Sequence, residues 1–224
     1  MTEIFSFAKL TWPEIAGLSR DTPLVIPLGT GYPLDRMVNA LSEPPKIGLL
    51  PPMPFGWQGS GLWVPVPVLC ALLNNLLNSL RDDGFSKVFC LCPQGLDLDL
   101  GASDLVMPYD PNLAPFQNQQ LPQDEHKGKV VIIPIGHIEQ HGYHLPLSTD
   151  TLIIDAIAQG TVAAVPDQAV SLPVMPYGVS THRYAFAGTL NSGGRAFEDF
   201  WLAVIDNLAL RGFNRFYLLS GHGG

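Results

Sequence analysis

Val130-Val131-Ile132-Ile133-Pro134-Ile135 is an unbroken apolar, largely β-branched run that ends at Gly136. A strand with apolar side chains pointing both ways is covered on both faces, which is the pattern of a strand inside a parallel sheet. The residues that follow alternate in kind. Residues 151–165 carry Leu152, Ile153, Ala156 and Ile157 at helical spacing. Residues 169–175 read as a second strand. Residues 195–210 place Phe197, Trp201, Val204, Ile205 and Leu208 on one stripe, and Gly212 ends that helix. Residues 213–219 read as a third strand. Strands alternating with helices predict a layered α/β fold with a mainly parallel sheet.

The first half of the chain echoes the second. Leu24-Val25-Ile26-Pro27-Leu28-Gly29 matches Val131-Ile132-Ile133-Pro134-Ile135-Gly136. Leu50-Pro51-Pro52-Met53-Pro54-Phe55-Gly56 matches Leu172-Pro173-Val174-Met175-Pro176-Tyr177-Gly178. Gly84-Phe85-Ser86-Lys87-Val88-Phe89 matches Gly212-Phe213-Asn214-Arg215-Phe216-Tyr217. Three matches in one order predict a worn duplication. Residues 1–95 form a shortened copy, residues 130–224 the fuller one, and residues 96–129 a polar linker or surface loop without a period.

Composition narrows the functional classes. The chain has 224 residues, 46% apolar and only 14% charged, which is the balance of a core-rich globular protein. Its net charge is −8 with no cluster of Lys or Arg, so nucleic acid and anionic membranes are not expected partners. The most apolar stretch, residues 62–77, is broken by Pro65, Pro67, Asn74 and Asn75, so no transmembrane helix is expected. The start of the chain lacks a signal-peptide pattern. Its three cysteines suit a reducing compartment, and a cytoplasmic location is expected. Cys90 and Cys92 read as small buried hydrophobes.

Chemistry concentrates in Glu139-Gln140-His141-Gly142-Tyr143-His144-Leu145-Pro146-Leu147-Ser148-Thr149-Asp150 and in Ser220-Gly221-His222-Gly223-Gly224. Both segments follow predicted strands, on the rim where parallel sheets build their sites. Glu139 and His141 are two apart and share a side in an extended loop. Carboxylates with imidazoles suit Zn²⁺ or Mn²⁺. Two ions sharing a carboxylate would make a hydrolytic site that activates water against a carbonyl. Each residue alone has a plainer reading: Asp150 as a helix N-cap, Glu139 and His141 as solvated loop residues, His144 as a packing residue, His222 as part of a glycine-rich tail. The Gly-His-Gly-Gly end also has the look of a hydrolase oxyanion loop, but the Gly-x-Ser-x-Gly elbow that reading needs is absent.

The run Pro134-Ile135-Gly136, then Glu139-Gln140-His141-Gly142-x-His144-Leu145-Pro146, then Thr149-Asp150 resembles the signature of the creatininase (creatinine amidohydrolase) family. The resemblance continues through Met175-Pro176-Tyr177-Gly178, Phe186-Ala187-Gly188-Thr189 and Ser220-Gly221-His222-Gly223-Gly224, and Leu10-Thr11-Trp12-Pro13-Glu14-Ile15 is similar to the family's usual opening. It implies a three-layer αβα fold and a centre of two divalent ions (Zn or Mn, Fe in some members). The implied reaction is hydrolysis of an amide-type C–N bond in a cyclic amide, formamide or short peptide, by a homo-oligomer. By resemblance Glu139, His141, Asp150 and His222 would be metal ligands, with Asp150 bridging, and His144 a catalytic helper. His182 and Arg183, in the loop after Tyr177-Gly178, are candidates for substrate contact. The residue two after His222 is Gly224, not the glutamate of creatininase proper. That matches the family's Gly-His-Gly-Gly-Asn branch, in which a more distant glutamate completes the site. A substrate other than creatinine and a chain truncated after the histidine motif are therefore expected. The alternative is a catalytically weak or inactive relative that serves as a scaffold or regulatory partner.

Overall fold

A computed structural model describes residues 1–108, 121–182 and 185–223. Eight strands run β1 (Glu3–Ser6), β2 (Leu24–Pro27), β3 (Lys46–Leu49), β4 (Val88–Pro93), β5 (Asp104–Met107), β6 (Val130–Ile135), β7 (Ala169–Ser171) and β8 (Phe216–Ser220). Five α-helices join them: α1 (Trp12–Ala16), α2 (Leu34–Ala40), α3 (Val66–Asp82), α4 (Thr149–Ala164) and α5 (Gly194–Leu210). The strands form a five-stranded sheet, order β1-β3-β2-β4-β5, and a three-stranded sheet, order β7-β6-β8. Every named pairing is parallel. The fold is α/β, as the strand–helix alternation predicts.

The alternation of side chains along the central strands decides which layer covers each face. From β2, Leu24 and Ile26 enter the main core, whereas Val25 joins a second cluster with Met37 of α2. From β6, Val131, Ile133 and Ile135 enter the same main core, whereas Ile132 packs with Ala158 of α4. The main core holds the leucine stripe of α3 (Leu69, Leu72, Leu73, Leu76, Leu77, Leu80) together with Phe200, Trp201, Val204 and Leu208 of α5. Helices α3 and α5 pack on each other, so one continuous core serves both sheets.

The two sheets repeat each other in detail. β2 is flanked by β3 and β4, as β6 is flanked by β7 and β8. The amide of Gly29 donates to the Met53 carbonyl at 2.9 Å, and that of Gly136 donates to the Met175 carbonyl at 2.8 Å. The amide of Leu50 reaches the Val25 carbonyl, and that of Leu172 reaches the Ile132 carbonyl. These are the positions that the sequence matches align.

Residues 96–129 are not a plain linker. Asp104–Met107 pairs with β4 as an edge strand, and Leu98, Leu100 and Leu121 are buried in the main core. Single apolar residues set among polar ones leave no period to read, so this element is invisible to a pattern search. Residues 109–120 of that stretch lie outside the described residues. All three cysteines are buried and unpaired. Among the described residues, no helix is long and apolar enough to cross a membrane.

Candidate metal centre

Three segments converge at the carboxyl ends of β6 and β8. Leaving β6, Gly136 lies against the start of α4, where a β-carbon would come 2.6 Å from Cα of Thr151. The Thr151 hydroxyl donates to the His137 carbonyl at 3.0 Å, tying the loop to the helix. The loop then runs through Glu139 and His141 and returns to α4. The first residues of the chain brace it, since the amides of Leu147 and Ser148 donate to the carbonyls of Leu10 and Ala8. Trp12 packs edge-on to both Tyr143 and Phe186 at 5.6 Å. After β8, the Gly221 amide extends the ladder to the Ile135 carbonyl at 2.8 Å and delivers His222.

Asp150 stands inside the first turn of α4, while Ser148 occupies the N-cap position. Its carboxylate is therefore not a cap. It is buried beside the positive end of the helix dipole, which favours negative charge. Oδ1 lies 3.1 Å from Nε2 of His141, and Oδ2 lies 3.4 Å from Nδ1 of His222. Oε1 of Glu139 lies 3.3 Å from the same His222 nitrogen and 4.0 Å from Nε2 of His141. One ligand-type atom from each of Glu139, His141 and Asp150 falls within 4.8 Å of the other two, and the same holds for His137, Glu139 and His222.

The donor set fits a divalent metal on local chemistry. Nδ1 of His141 faces the Glu139 carbonyl at 3.0 Å. A carbonyl only accepts, so in the neutral ring Nδ1 holds the proton and Nε2 presents its lone pair. In that tautomer the lone pair faces a carboxylate oxygen 3.1 Å away, an arrangement that a cation held between the two atoms would satisfy. Metal bonds of ~2.0–2.1 Å meeting near a right angle span about 3 Å. Asp150 Oδ2 and His222 Nε2 are also buried without hydrogen-bond partners among the described residues.

Two further residues lack any spacing signal. Ser180 is fully buried and donates its hydroxyl to Glu139 Oε2 at 3.1 Å. His137 is fully buried, its ring 4.6 Å from that of His222. Burial above all, then the nearby His222, His141 and His182, push its pKa down to about 3, so the ring is neutral. Among the expected site residues, Glu139, His141, Asp150 and His222 come together. His182 is exposed, with its ring stacked on that of His222 at 5.3 Å. His144 is exposed and stands outside both ligand groups. Arg183 lies outside the described residues.

Comparison with known proteins matches residues 116–224 to the creatininase family model, described as creatinine amidohydrolase. A mycofactocin precursor peptide peptidase of Mycolicibacterium smegmatis is 40% identical over 100 residues, which is 42% of this chain and 40% of that protein. A 3-dehydro-scyllo-inosose hydrolase of Thermotoga maritima is 32% identical over 112 residues, or 48% of this chain and 35% of that one. The crystal structure of a creatinine amidohydrolase aligns over 42% of this chain and 38% of that chain, with 29% identity and a TM-score of 0.40. The chain thus spans about 40% of the length of the mycofactocin peptidases it matches. These relatives are named as a peptidase and a hydrolase, and the segment matched by the family model contains every residue of the cluster. Residues 116–224, which carry the whole cluster, thus match the creatininase family model.

Proposed function

We propose that the cluster is a dinuclear divalent-metal centre that hydrolyses an amide-type C–N bond in a small cyclic amide, a formamide or a short peptide. The observation that carries this is the Asp150 carboxylate, whose two oxygens each face a different histidine. A carboxylate shared in this way is what a two-ion site requires. Glu139, Asp150 and His222 would hold one ion, and Asp150 and His141 the other. Mixed imidazole and carboxylate donors favour Zn²⁺ or Mn²⁺, with Fe²⁺ next. Bound ions would supply a lowered water pKa and polarisation of the carbonyl.

The chain's own side chains prepare the site. The Glu139 carbonyl fixes the His141 tautomer, and Ser180 orients the Glu139 carboxylate. Such supporting contacts fix the orientation of metal ligands. His182, exposed and stacked on His222, stands where a substrate would approach. His144, exposed on the ligand loop and outside both ligand groups, would act as a helper to the reaction and not as a ligand. Peptides head the substrate candidates, because a relative 40% identical over 100 residues is named as a peptidase. A homo-oligomer is part of the same reading.

We propose too that residues 1–95 are a copy of this unit without ligands. The repeated hydrogen bonds of Gly29 with Met53 and of Gly136 with Met175 support it.

Elemental analysis of protein purified without a metal-affinity column tests the function. About two Zn, Mn or Fe per chain, lost in Asp150→Ala, is the expected result, after which amides and short peptides are screened for cleavage. Wild-type protein that takes up no divalent metal on dialysis would overturn the reading in favour of a scaffold protein.

A further inference from the structure

His137 belongs to a group of potential ligands, yet its hydrogen bonding gives it a different part. The Gly178 amide donates to Nδ1 of His137 at 3.1 Å. Nδ1 therefore accepts, and the neutral ring carries its proton on Nε2. A protonated ring nitrogen has no lone pair for a metal. The two histidines of this loop thus hold opposite tautomers. His141 donates its Nδ1–H to a carbonyl and frees Nε2 as a ligand, whereas His137 accepts the Gly178 N–H at Nδ1 and keeps Nε2–H as a donor.

The backbone enforces this arrangement. A β-carbon on residue 178 would lie 3.0 Å from His137 Nδ1 and 3.1 Å from the Gly136 carbonyl oxygen. Only glycine lets the amide come so close. The Gly178 carbonyl in turn accepts from the amide and hydroxyl of Ser192, so the segment that aims the amide is itself held. The ring is fully buried, and Nε2 has no partner among the described residues. A buried N–H without an acceptor is unfavourable, and native proteins rarely keep one. This one is kept beside Glu139 and His222, at the proposed reaction centre.

We propose that His137 is a neutral hydrogen-bond donor, not a metal ligand, and that its Nε2–H receives the oxygen of the scissile carbonyl as negative charge develops there. The ligand class is an oxyanion. This role rests on the hydrolase reading of the same centre. A donor fixed in place before the reaction is the usual means of stabilising such an oxygen.

The test begins with full-length protein labelled with ¹⁵N-histidine, observed by long-range ¹H–¹⁵N correlation with and without Zn²⁺. The His137 signals are assigned by their loss in His137→Gln. Nε2 is expected to hold the proton in both states, with Nδ1 bare. A proton found on Nδ1, or one lost from Nε2 on adding Zn²⁺, would overturn the proposal. Zn²⁺ per chain should be unchanged in His137→Gln, and loss of metal there would make His137 a ligand. Inorganic phosphate serves as the oxyanion probe on Zn²⁺-loaded protein. Its Kd should weaken about tenfold in His137→Leu and recover in His137→Gln, whose amide still donates; equal affinity in all three proteins would also overturn the proposal. If wild-type protein bound no Zn²⁺, the hydrolase reading would fall and the carbonyl role with it, while the tautomer would still be decided on the metal-free chain. If the Leu variant does not fold, the wild-type spectra and the Gln variant carry the test.

Discussion

Gly221 crosses Asp150 so closely that a β-carbon on residue 221 would lie 2.6 Å from the Asp150 carbonyl oxygen. It would also lie 3.0 Å from Cβ of Ile154. Both are parts of α4 that cannot swing aside, so the glycine is what lets His222 reach the cluster. Gly221→Ala should destabilise the fold by about 1–3 kcal/mol, as overpacking does. It should also weaken Zn²⁺ binding at least tenfold by displacing His222. Isothermal titration with Zn²⁺ on the folded variant checks this; unchanged affinity would separate His222 from the metal.

Ser180 reaches Glu139 from forty-one positions away in the chain and donates to Oε2 at 3.1 Å. Ser180→Ala leaves the ligands in place but removes the contact that orients one of them. Loss of such a supporting contact typically weakens metal binding 10–100-fold. A competition assay against a Zn²⁺ chelator should find a drop in that range. Ser180→Thr, which keeps the hydroxyl, should lose less.

The fold and the ligand loop are legible for different reasons. Strand β6 is readable because both of its faces are covered, and α5 because its buried residues fall on one stripe. Glu139, His141 and Asp150 are readable because one loop carries them at short spacing. His137 and Ser180 are not, because a lone histidine before an isoleucine and a lone serine in a loop look like many others. Their meaning comes from Gly178 and Glu139, which only the folded chain brings to them. Strand β5 is hidden because it is four residues long and lies in a polar stretch that leaves no period to read.

With its lone pair facing the Asp150 carboxylate, His141 would gain from a cation bound between the two. Saturating Zn²⁺ at a hundred times its Kd adds about 2.7 kcal/mol to stability. For a chain of this size that is a rise of roughly 5–11 °C in Tm. Differential scanning fluorimetry should record it in wild-type protein and lose it in Asp150→Asn. A Tm indifferent to Zn²⁺ and to chelator would count against the centre.

Asp83 accepts the Gly188 amide at 2.6 Å and ties the end of α3 to the loop before α5. Burial raises its pKa to about 6, against the pull of that hydrogen bond and of Arg20. The folded protein thus binds a proton there that the unfolded chain, titrating near 4, has already released. This group's contribution to stability is therefore complete below about pH 4 and is lost as pH rises through about 6. Asp83→Asn keeps an acceptor for Gly188 and removes the titration. Urea unfolding between pH 5 and 7.5 should find the variant gaining on wild type as pH rises; parallel curves would place the titration elsewhere.

The two halves of the chain are not independent folding units, because the surfaces that would make them so are spent on each other. Leucines of α3 pack in one core with Phe200 and Trp201 of α5. Asn75 of α3 donates to the Ser192 carbonyl at 2.8 Å, and Ser79 accepts the Asn191 amide at 3.0 Å. The metal loop leans on the carbonyls of Leu10 and Ala8. Residues 121–224 made alone would expose that aromatic surface to water, at roughly 25 cal/mol for each Å² of apolar area. They should be insoluble or lack a cooperative unfolding transition, and should regain Zn²⁺ binding only when produced together with residues 1–108. A soluble fragment 121–224 that unfolds cooperatively and binds Zn²⁺ like the full chain would show that the shared core is dispensable.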